Sequence, residues 1–129
     1  MRVRDAMSTV VLSIGPDHTL RQAARLMSTR RVGAAVVIDP DSFGVGIITE
    51  RDLLDAIGAD QDPDTERASE HLTRDLVFAG PDWTLEEAAA AMVRGGFRHL
   101  IVIDGDDVAG IISVRDIVRV WAEQNAAAP

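Results

Sequence analysis

The chain contains the same stretch of sequence twice, and that duplication limits its architecture more than any other feature. Moving residues 7–39 by 65 positions lays Gly15-Pro16-Asp17 on Gly80-Pro81-Asp82 and Thr19-Leu20 on Thr84-Leu85. The same shift lays Ala23-Ala24 on Ala88-Ala89, Met27 on Met92, and Val37-Ile38-Asp39 on Val102-Ile103-Asp104. A shift of 64 then matches Gly46-Ile47-Ile48-Thr49-Glu50-Arg51-Asp52 with Gly110-Ile111-Ile112-Ser113-Val114-Arg115-Asp116. Of the 41 paired positions 16 are identical and their order is kept, so the chain is a tandem repeat.

Local signals give each copy the same order of elements. In the first, Val10 to Ile14 reads as a strand ended by Gly15-Pro16-Asp17. Thr19 with Gln22 has the form of a capping box, and Leu20, Ala23, Ala24 and Met27 make the apolar stripe of the following helix. Gly33 is its expected stop. Ala34 to Ile38 is a continuous apolar run, which suits a strand buried on both faces. Asp39-Pro40-Asp41 turns the chain into a strand over Val45 to Ile48, and Thr49 caps a helix carrying Leu53, Leu54 and Ile57. In the second copy the strands are Leu76 to Ala79, Leu100 to Ile103 and Val108 to Ile112, the latter two joined at Asp104-Gly105-Asp106. Thr84 and Glu87 cap one helix. Ser113 opens the last, whose buried side is expected to be Ile117, Val118 and Trp121. Each half is thus strand-helix-strand-strand-helix, an α/β fold whose halves, too small to stand alone, are expected to pack sheet against sheet. The boundaries expected are 1–62 for the first motif with the start of an acidic connector, 63–122 for the second, and a flexible tail over 123–129.

Composition narrows the class of function. At 129 residues and 47% hydrophobic content, the chain suits one globular body. No apolar run approaches the roughly 20 residues of a membrane span, and Met1-Arg2-Val3-Arg4-Asp5 leads into no long apolar stretch. The absence of cysteine excludes disulfides and thiolate chemistry. A cytoplasmic protein is expected. A net charge of −8 argues against a nucleic-acid partner, although clustered arginines can still hold a small anion. Much of the acidity falls on Asp55, Asp60, Asp62, Asp64, Glu66 and Glu70, read as a solvated connector.

The repeated junction Gly-Ile-Ile-Thr/Ser-x-Arg-Asp carries the chemistry. A helix N-terminus offers backbone N–H groups and a positive dipole end to a phosphate. The Thr49 or Ser113 hydroxyl can bond a phosphate or sugar oxygen. Asp52 or Asp116, one turn in, can accept both hydroxyls of a ribose. Gly46 and Gly110 would let a ligand approach the strand. The same residues also make an ordinary helix cap with an acid in its first turn; occurrence in both copies is what favours the ligand reading. Arg51 and Arg115 are placed to reach phosphates, and Arg98 with His99 adds positive charge in the second copy, where the first has Gly33 and Ala34. Two pockets would therefore be unequal. His18 and His71 are read as surface or cap residues, and the histidine spacing makes no metal site. No nucleophile triad, HExxH pattern or Walker-type loop is present. Trp83 and Trp121 are read as core or dimer-interface residues, since no basic stripe accompanies them.

These features together resemble the tandem CBS-domain pair, a regulatory nucleotide-binding module, from about Val3 to about Ala122. The match rests on the duplication, on Gly-Pro-Asp-x-Thr-Leu before each first helix, on Arg98-His99-Leu100 before a Val-Ile-Asp strand, and on the two junctions. The chain is most similar to small stand-alone bacterial pairs. The resemblance implies two CBS motifs related by a pseudo-twofold axis with clefts between them. It further implies a homodimer formed through the helices and an adenine-containing ligand: AMP, ADP or ATP, with NAD or S-adenosylmethionine in some members. No cofactor is required. By position, Asp52 and Asp116 would hold the ribose, Thr49 and Ser113 the ribose or phosphate, and Arg51, Arg115, Arg98 and His99 the phosphates. Backbone near Val11 and Leu76 would meet the base. Family members commonly carry a proline inside the central strand where this chain has Val36 and Ile101.

The favoured reading is a non-enzymatic energy sensor that acts on an effector protein. The alternatives are a dimeric protein-interaction module with no nucleotide, and, ranked lower, a small nucleotide hydrolase.

Overall fold

The computed structural model describes residues 1–42, 44–73 and 78–126. Its elements run α1 (Val3–Ala6), β1 (Ser13–Ile14), α2 (Leu20–Arg30), β2 (Ala34–Ile38), β3 (Val45–Thr49) and α3 (Glu50–Gly58), then α4 (Leu85–Gly95), β4 (His99–Asp104), β5 (Asp107–Ser113) and α5 (Val114–Ala126). A short 3-10 turn over Ala68–Glu70 lies between the two sets. The fold is mixed α/β with one sheet in each repeat, as the duplication predicts.

In the first repeat β1 runs parallel to β2, and β2 pairs antiparallel with β3 in a register that sets Ala34 opposite Thr49. The first strand is shorter than the apolar stretch suggests: only Ser13 and Ile14 qualify, and Val10 is exposed. The ladder still reaches one residue further, because the Val36 N–H donates to the Leu12 carbonyl at 2.9 Å. A proline at Val36 would lose that bond, so valine at this position strengthens the hold on the first strand. In the second repeat β4 and β5 form an antiparallel hairpin through a two-residue turn, with His99 opposite Ser113. Ala79 bridges Val102 in parallel, the counterpart of β1, while Leu76 and Val77 lie outside the described residues.

The capping boxes form as the sequence requires. The Thr19 N–H donates to Gln22 Oε1 at 2.9 Å and the Gln22 N–H to Thr19 Oγ1 at 3.1 Å. Thr84 and Glu87 do the same at the head of α4. The end of α2 differs from expectation. It stops at Arg31, which takes the left-handed conformation at φ 55°, and not at Gly33; the second repeat has Gly96 at the equivalent place with φ 70°. At the other end of the chain, α5 continues through Ala126, so residues 123–126 are helical; 127–129 lie outside the described residues.

The packed units do not follow the order of the repeats. Among the described residues, one consists of residues 11–73 and the other of residues 1–10 with 78–126. The connector completes the first repeat: the Ala68 N–H donates to the His18 carbonyl, the Ser69 N–H to the Pro16 carbonyl, and Thr73 exchanges two bonds with Ile47 at 2.8 and 3.1 Å. The N-terminal segment does the same for the second repeat. There the Val3 N–H donates to the Trp83 carbonyl, the Arg4 N–H to the Pro81 carbonyl, and Ser8 exchanges two bonds with Ile111 at 2.9 and 3.0 Å. Thus 66–73 and 1–8 are equivalent segments, each lying against the repeat next to it in structural role.

Each unit has its own core. One gathers Leu12, Ile14, Leu20, Ala23, Met27, Ala35, Val37 and Ile48. The other gathers Val3, Ala6, Leu85, Ala88, Met92, Leu100, Val102 and Ile112. Burial of each leucine, isoleucine or valine contributes roughly 1.5–3 kcal/mol. The acidic connector is solvated but anchored, since Leu20 and Arg21 N–H groups donate to the Glu66 and Pro63 carbonyls. Arg21 pairs with Asp64, and that hydrogen bond holds the Asp64 carboxyl below its usual range. Among the described residues no helix is long and apolar enough to cross a membrane.

Two helices leave apolar surface outside these cores. Leu54 and Ile57 of α3 are exposed, and so are Val118 and Trp121 of α5. The sequence reading put Val118 and Trp121 on the buried side; the structure buries Val120 and half-buries Ile117 instead. The helix rotates that way because Val120 enters the core with Val3 and Ile112.

Candidate functional site

The two repeated junctions have one geometry. At the first, β3 runs straight into α3, and Asp52 reaches back to its own cap. Asp52 Oδ2 accepts from the Thr49 N–H at 2.8 Å and from the Thr49 hydroxyl at 3.0 Å, while the Asp52 N–H donates to Thr49 Oγ1 at 3.3 Å. At the second junction Asp116 Oδ2 accepts from the Ser113 N–H at 2.8 Å and from its hydroxyl at 3.0 Å, and the Asp116 N–H donates back at 3.1 Å. Both aspartates are half-buried.

The cap uses one carboxylate oxygen and leaves the other. Asp52 Oδ1 has no hydrogen-bond partner among the described residues. Asp116 Oδ1 faces Arg119 Nη2 at 3.5 Å, and the same guanidinium donates to the Ala6 carbonyl at 3.1 Å. Each junction therefore presents a carboxylate whose direction is set by three bonds; the second oxygen is open to a hydroxyl donor at Asp52 and already faces Arg119 at Asp116.

Few free backbone donors remain at the helix starts. The Glu50 N–H donates to the Gly33 carbonyl at 3.0 Å, and the Val114 N–H to the Arg98 carbonyl at 2.9 Å. With the Asp52 and Asp116 N–H groups occupied by their caps, the Arg51 and Arg115 N–H groups are the ones left without a partner in the first turn among the described residues. Phosphate would thus depend on side-chain cations more than on the helix dipole.

Those cations are unequally distributed. In the second repeat, Arg98 precedes β4, the half-buried His99 stands opposite Ser113, and Arg115 lies in the first turn of α5, so the chain brings Arg98, His99, Ser113, Arg115 and Asp116 to one end of the hairpin. In the first, Thr49, Arg51 and Asp52 stand with Gly33 and Ala34, and Arg51 Nε lies 3.8 Å from Asp55 in an exposed pair. Surface pairs of this kind contribute little.

Gly46 and Gly110 meet the chain itself. A β-carbon at Gly46 would lie 2.7 Å from Leu72 Cδ1 and 3.2 Å from the Thr73 carbonyl oxygen; at Gly110 it would lie 2.5 Å from the Ser8 carbonyl oxygen and 2.9 Å from Met7 Sδ. The space above both glycines is filled by the crossing segments, a role the sequence alone did not suggest. The match of Met7-Ser8 with Leu72-Thr73 in the repeat was the available signal. His18 is a turn residue, its Nδ1 accepting from the Gly15 N–H at 3.0 Å, and His71 lies 3.1 Å from Glu66. Among the described residues no cluster of histidine and carboxylate side chains could hold a metal ion.

Two sheets of this kind, each running from its last strand into a helix with a capped aspartate in the first turn, make a tandem pair. The CBS domain family model matches the chain twice, over residues 3–59 and 68–123, and the chain belongs to that family. CBS pairs are regulatory modules. A CBS-domain containing protein from Agrobacterium tumefaciens has a solved structure 32% identical to this chain, with TM-score 0.85 and coverage of 93% of this chain and 92% of that one. A hexameric CBS-CP12 protein from bloom-forming cyanobacteria is 26% identical, with TM-score 0.89, covering 100% of this chain and 76% of that one. A CBS domain pair solved in complex with 5′-methylthioadenosine and S-adenosyl-L-methionine is 23% identical with TM-score 0.85, covering 96% of this chain and 98% of that one, a likeness of fold. A protein of Methanocaldococcus jannaschii is 31% identical over 124 residues, which are 93% of this chain and 44% of that protein, so this chain spans less than half its length.

Proposed function

We propose that this chain is a non-enzymatic sensor that binds an adenine nucleotide at its two strand-helix junctions and passes the binding energy to its helices. The observation that carries the reading is the matched pair of aspartates, each fixed through one oxygen by its own cap. Asp52 and Asp116 accept the ribose hydroxyls through the remaining oxygen. Thr49 and Ser113 border the ribose, and Arg51, Arg115, Arg98 and His99 meet the phosphates. The second junction, with Arg98 and His99, binds the more highly charged ligand. The solved relative that holds two adenosine compounds supports an adenosine-type ligand. The protein works in the cytoplasm as a homodimer, joined through its exposed helix faces, and acts on an effector protein. A signal requires only that the ligand stabilise one helix arrangement more than another.

The test is a thermal-shift panel with AMP, ADP, ATP, NAD and S-adenosylmethionine on the wild type and on Asp52→Asn with Asp116→Asn. A ligand at about 100 times its dissociation constant adds roughly 2.7 kcal/mol per site, a rise of many degrees for a chain of this size. The expected result is a rise with an adenine ligand that the double variant loses. A flat panel would sink the proposal in favour of a partner-docking module, which the exposed Leu54, Ile57, Val118 and Trp121 would then serve.

A further inference from the structure

The two caps share the same three bonds, and the junctions part at the remaining carboxylate oxygen. Asp116 Oδ1 lies 3.5 Å from Arg119 Nη2, whereas Asp52 Oδ1 has no partner among the described residues. The sequence explains the difference, because position 119 matches position 55 of the first repeat, which is Asp55. An ionised carboxylate there can neither pair with Asp52 nor donate to a carbonyl. Asp55 faces Arg51 at 3.8 Å instead.

Arg119 also reaches away from the junction. The same Nη2 donates to the Ala6 carbonyl at 3.1 Å, across 113 positions of sequence, and Nη1 lies 3.7 Å from Glu123. Ala6 ends α1 and is buried in one core with Val3. One guanidinium nitrogen thus serves two acceptors: the oxygen that the cap leaves over, and the backbone of the N-terminal segment. Holding a long, half-exposed arginine in one position costs side-chain entropy, which two acceptors offset better than one. Asp116 therefore helps to keep the guanidinium on Ala6. A ribose hydroxyl that donates to Asp116 Oδ1 competes with Arg119 for that oxygen.

We infer that Arg119 couples the second junction to the N-terminal segment, so that a diol bound to Asp116 loosens the hold on Ala6. The first junction, with Asp55 at the matching position, is not coupled in this way. Arg119 acts here as a positioning residue. The inference takes its ligand from the sensor reading above and rests on it for that step, while the link from Asp116 through Arg119 to Ala6 exists without ligand. Coupling is reciprocal, so Arg119 also weakens diol binding at the second junction.

The ligand-free link is tested by hydrogen exchange at the Met7 and Ser8 amides, which donate to the Val3 and Ile111 carbonyls. Asp116→Asn is expected to speed exchange there by about two- to fivefold, the scale of a half-exposed pair. In an Arg119→Met background the same substitution is expected to change nothing. An equal acceleration in both backgrounds would trace to the α5 cap and overturn the inference. The ligand step is tested by calorimetry with adenosine, which carries both ribose hydroxyls and no phosphate, on Asp52→Asn protein to isolate the second junction. Arg119→Met is expected to tighten adenosine about two- to fivefold, and adenosine to speed Met7 and Ser8 exchange only where Arg119 is present. Unchanged or weaker adenosine binding to Arg119→Met overturns the competition. If adenosine binds neither protein nor the wild type, the sensor reading fails, and the exchange comparison alone upholds or overturns the link.

Discussion

The carbonyl oxygen of Ser8 lies 2.5 Å from where a β-carbon on Gly110 would sit. Ser8 is held there by its two bonds to Ile111, so backbone would have to move to admit any side chain. Gly110→Ala is expected to cost about 1–3 kcal/mol by overpacking. Gly46→Ala is expected to cost less, because the nearest atom is the flexible end of Leu72. Chemical denaturation of both variants checks the ranking, and equal losses would contradict it.

Val3 is fully buried in the core built by the second repeat, although it lies at the other end of the chain. Val3→Ala should therefore destabilise by roughly 2 kcal/mol, from lost burial and the cavity left behind. Hydrogen exchange would show the loss in β4, β5 and α4 first. Loss confined to residues 11–73 would mean that the N-terminal segment serves the other unit.

Arg31 holds a left-handed conformation that glycine takes at the matching position in the second repeat. The strain for a residue with a β-carbon is of the order of 1 kcal/mol. Arg31→Gly should raise the melting temperature and Gly96→Arg should lower it, each measured by thermal unfolding.

The cap and ligand roles of Asp52 and Asp116 separate by substitution. Asparagine keeps an acceptor for the Thr49 or Ser113 N–H and gives up only the charge at the helix start, a loss of about 0.3–1 kcal/mol each. Alanine keeps the backbone N–H that bonds the Thr49 or Ser113 hydroxyl but removes the carboxylate that accepts from the Thr49 or Ser113 N–H, and costs about 1 kcal/mol each. A bond to a charged group contributes roughly 1.5–3 kcal/mol, so the asparagine variants should bind nucleotide about 10- to 100-fold more weakly while staying folded. Titration calorimetry on the two asparagine variants decides this, and unchanged affinity would leave the aspartates as caps alone.

Acid should weaken the tie between the connector and α2. The Arg21 hydrogen bond lowers the Asp64 pKa in the folded chain, so its contribution is present above the unfolded carboxyl value of 3.8 and is lost as pH falls through the folded value. Both groups are exposed, so the effect is small, and Asp64→Asn should flatten the acid limb of a stability profile only slightly.

What the sequence determined by itself was local or repeated. The capping pairs Thr19–Gln22, Thr84–Glu87, Thr49–Asp52 and Ser113–Asp116 were legible because their partners lie three residues apart, within one helical turn. The two sheets followed from a duplication that needs no structure to see, and so did the family. The tertiary structure alone decided what lies far apart in the chain. The strand over Val10 to Ile14 shrank to two residues because pairing with β2, not apolar content, ends a strand. Val118 and Trp121 turned outward because a helix face is chosen by the core it meets, and Val120 joins the core that holds Val3 and Ile112. Gly46 and Gly110 looked like room for a ligand, yet Leu72 and Ser8 cross above them. That the first eight residues complete the second repeat, while the connector completes the first, is a choice between two matching segments. Because the segments carry the same hydrogen-bonding pattern, only the path of the chain in space distinguishes them.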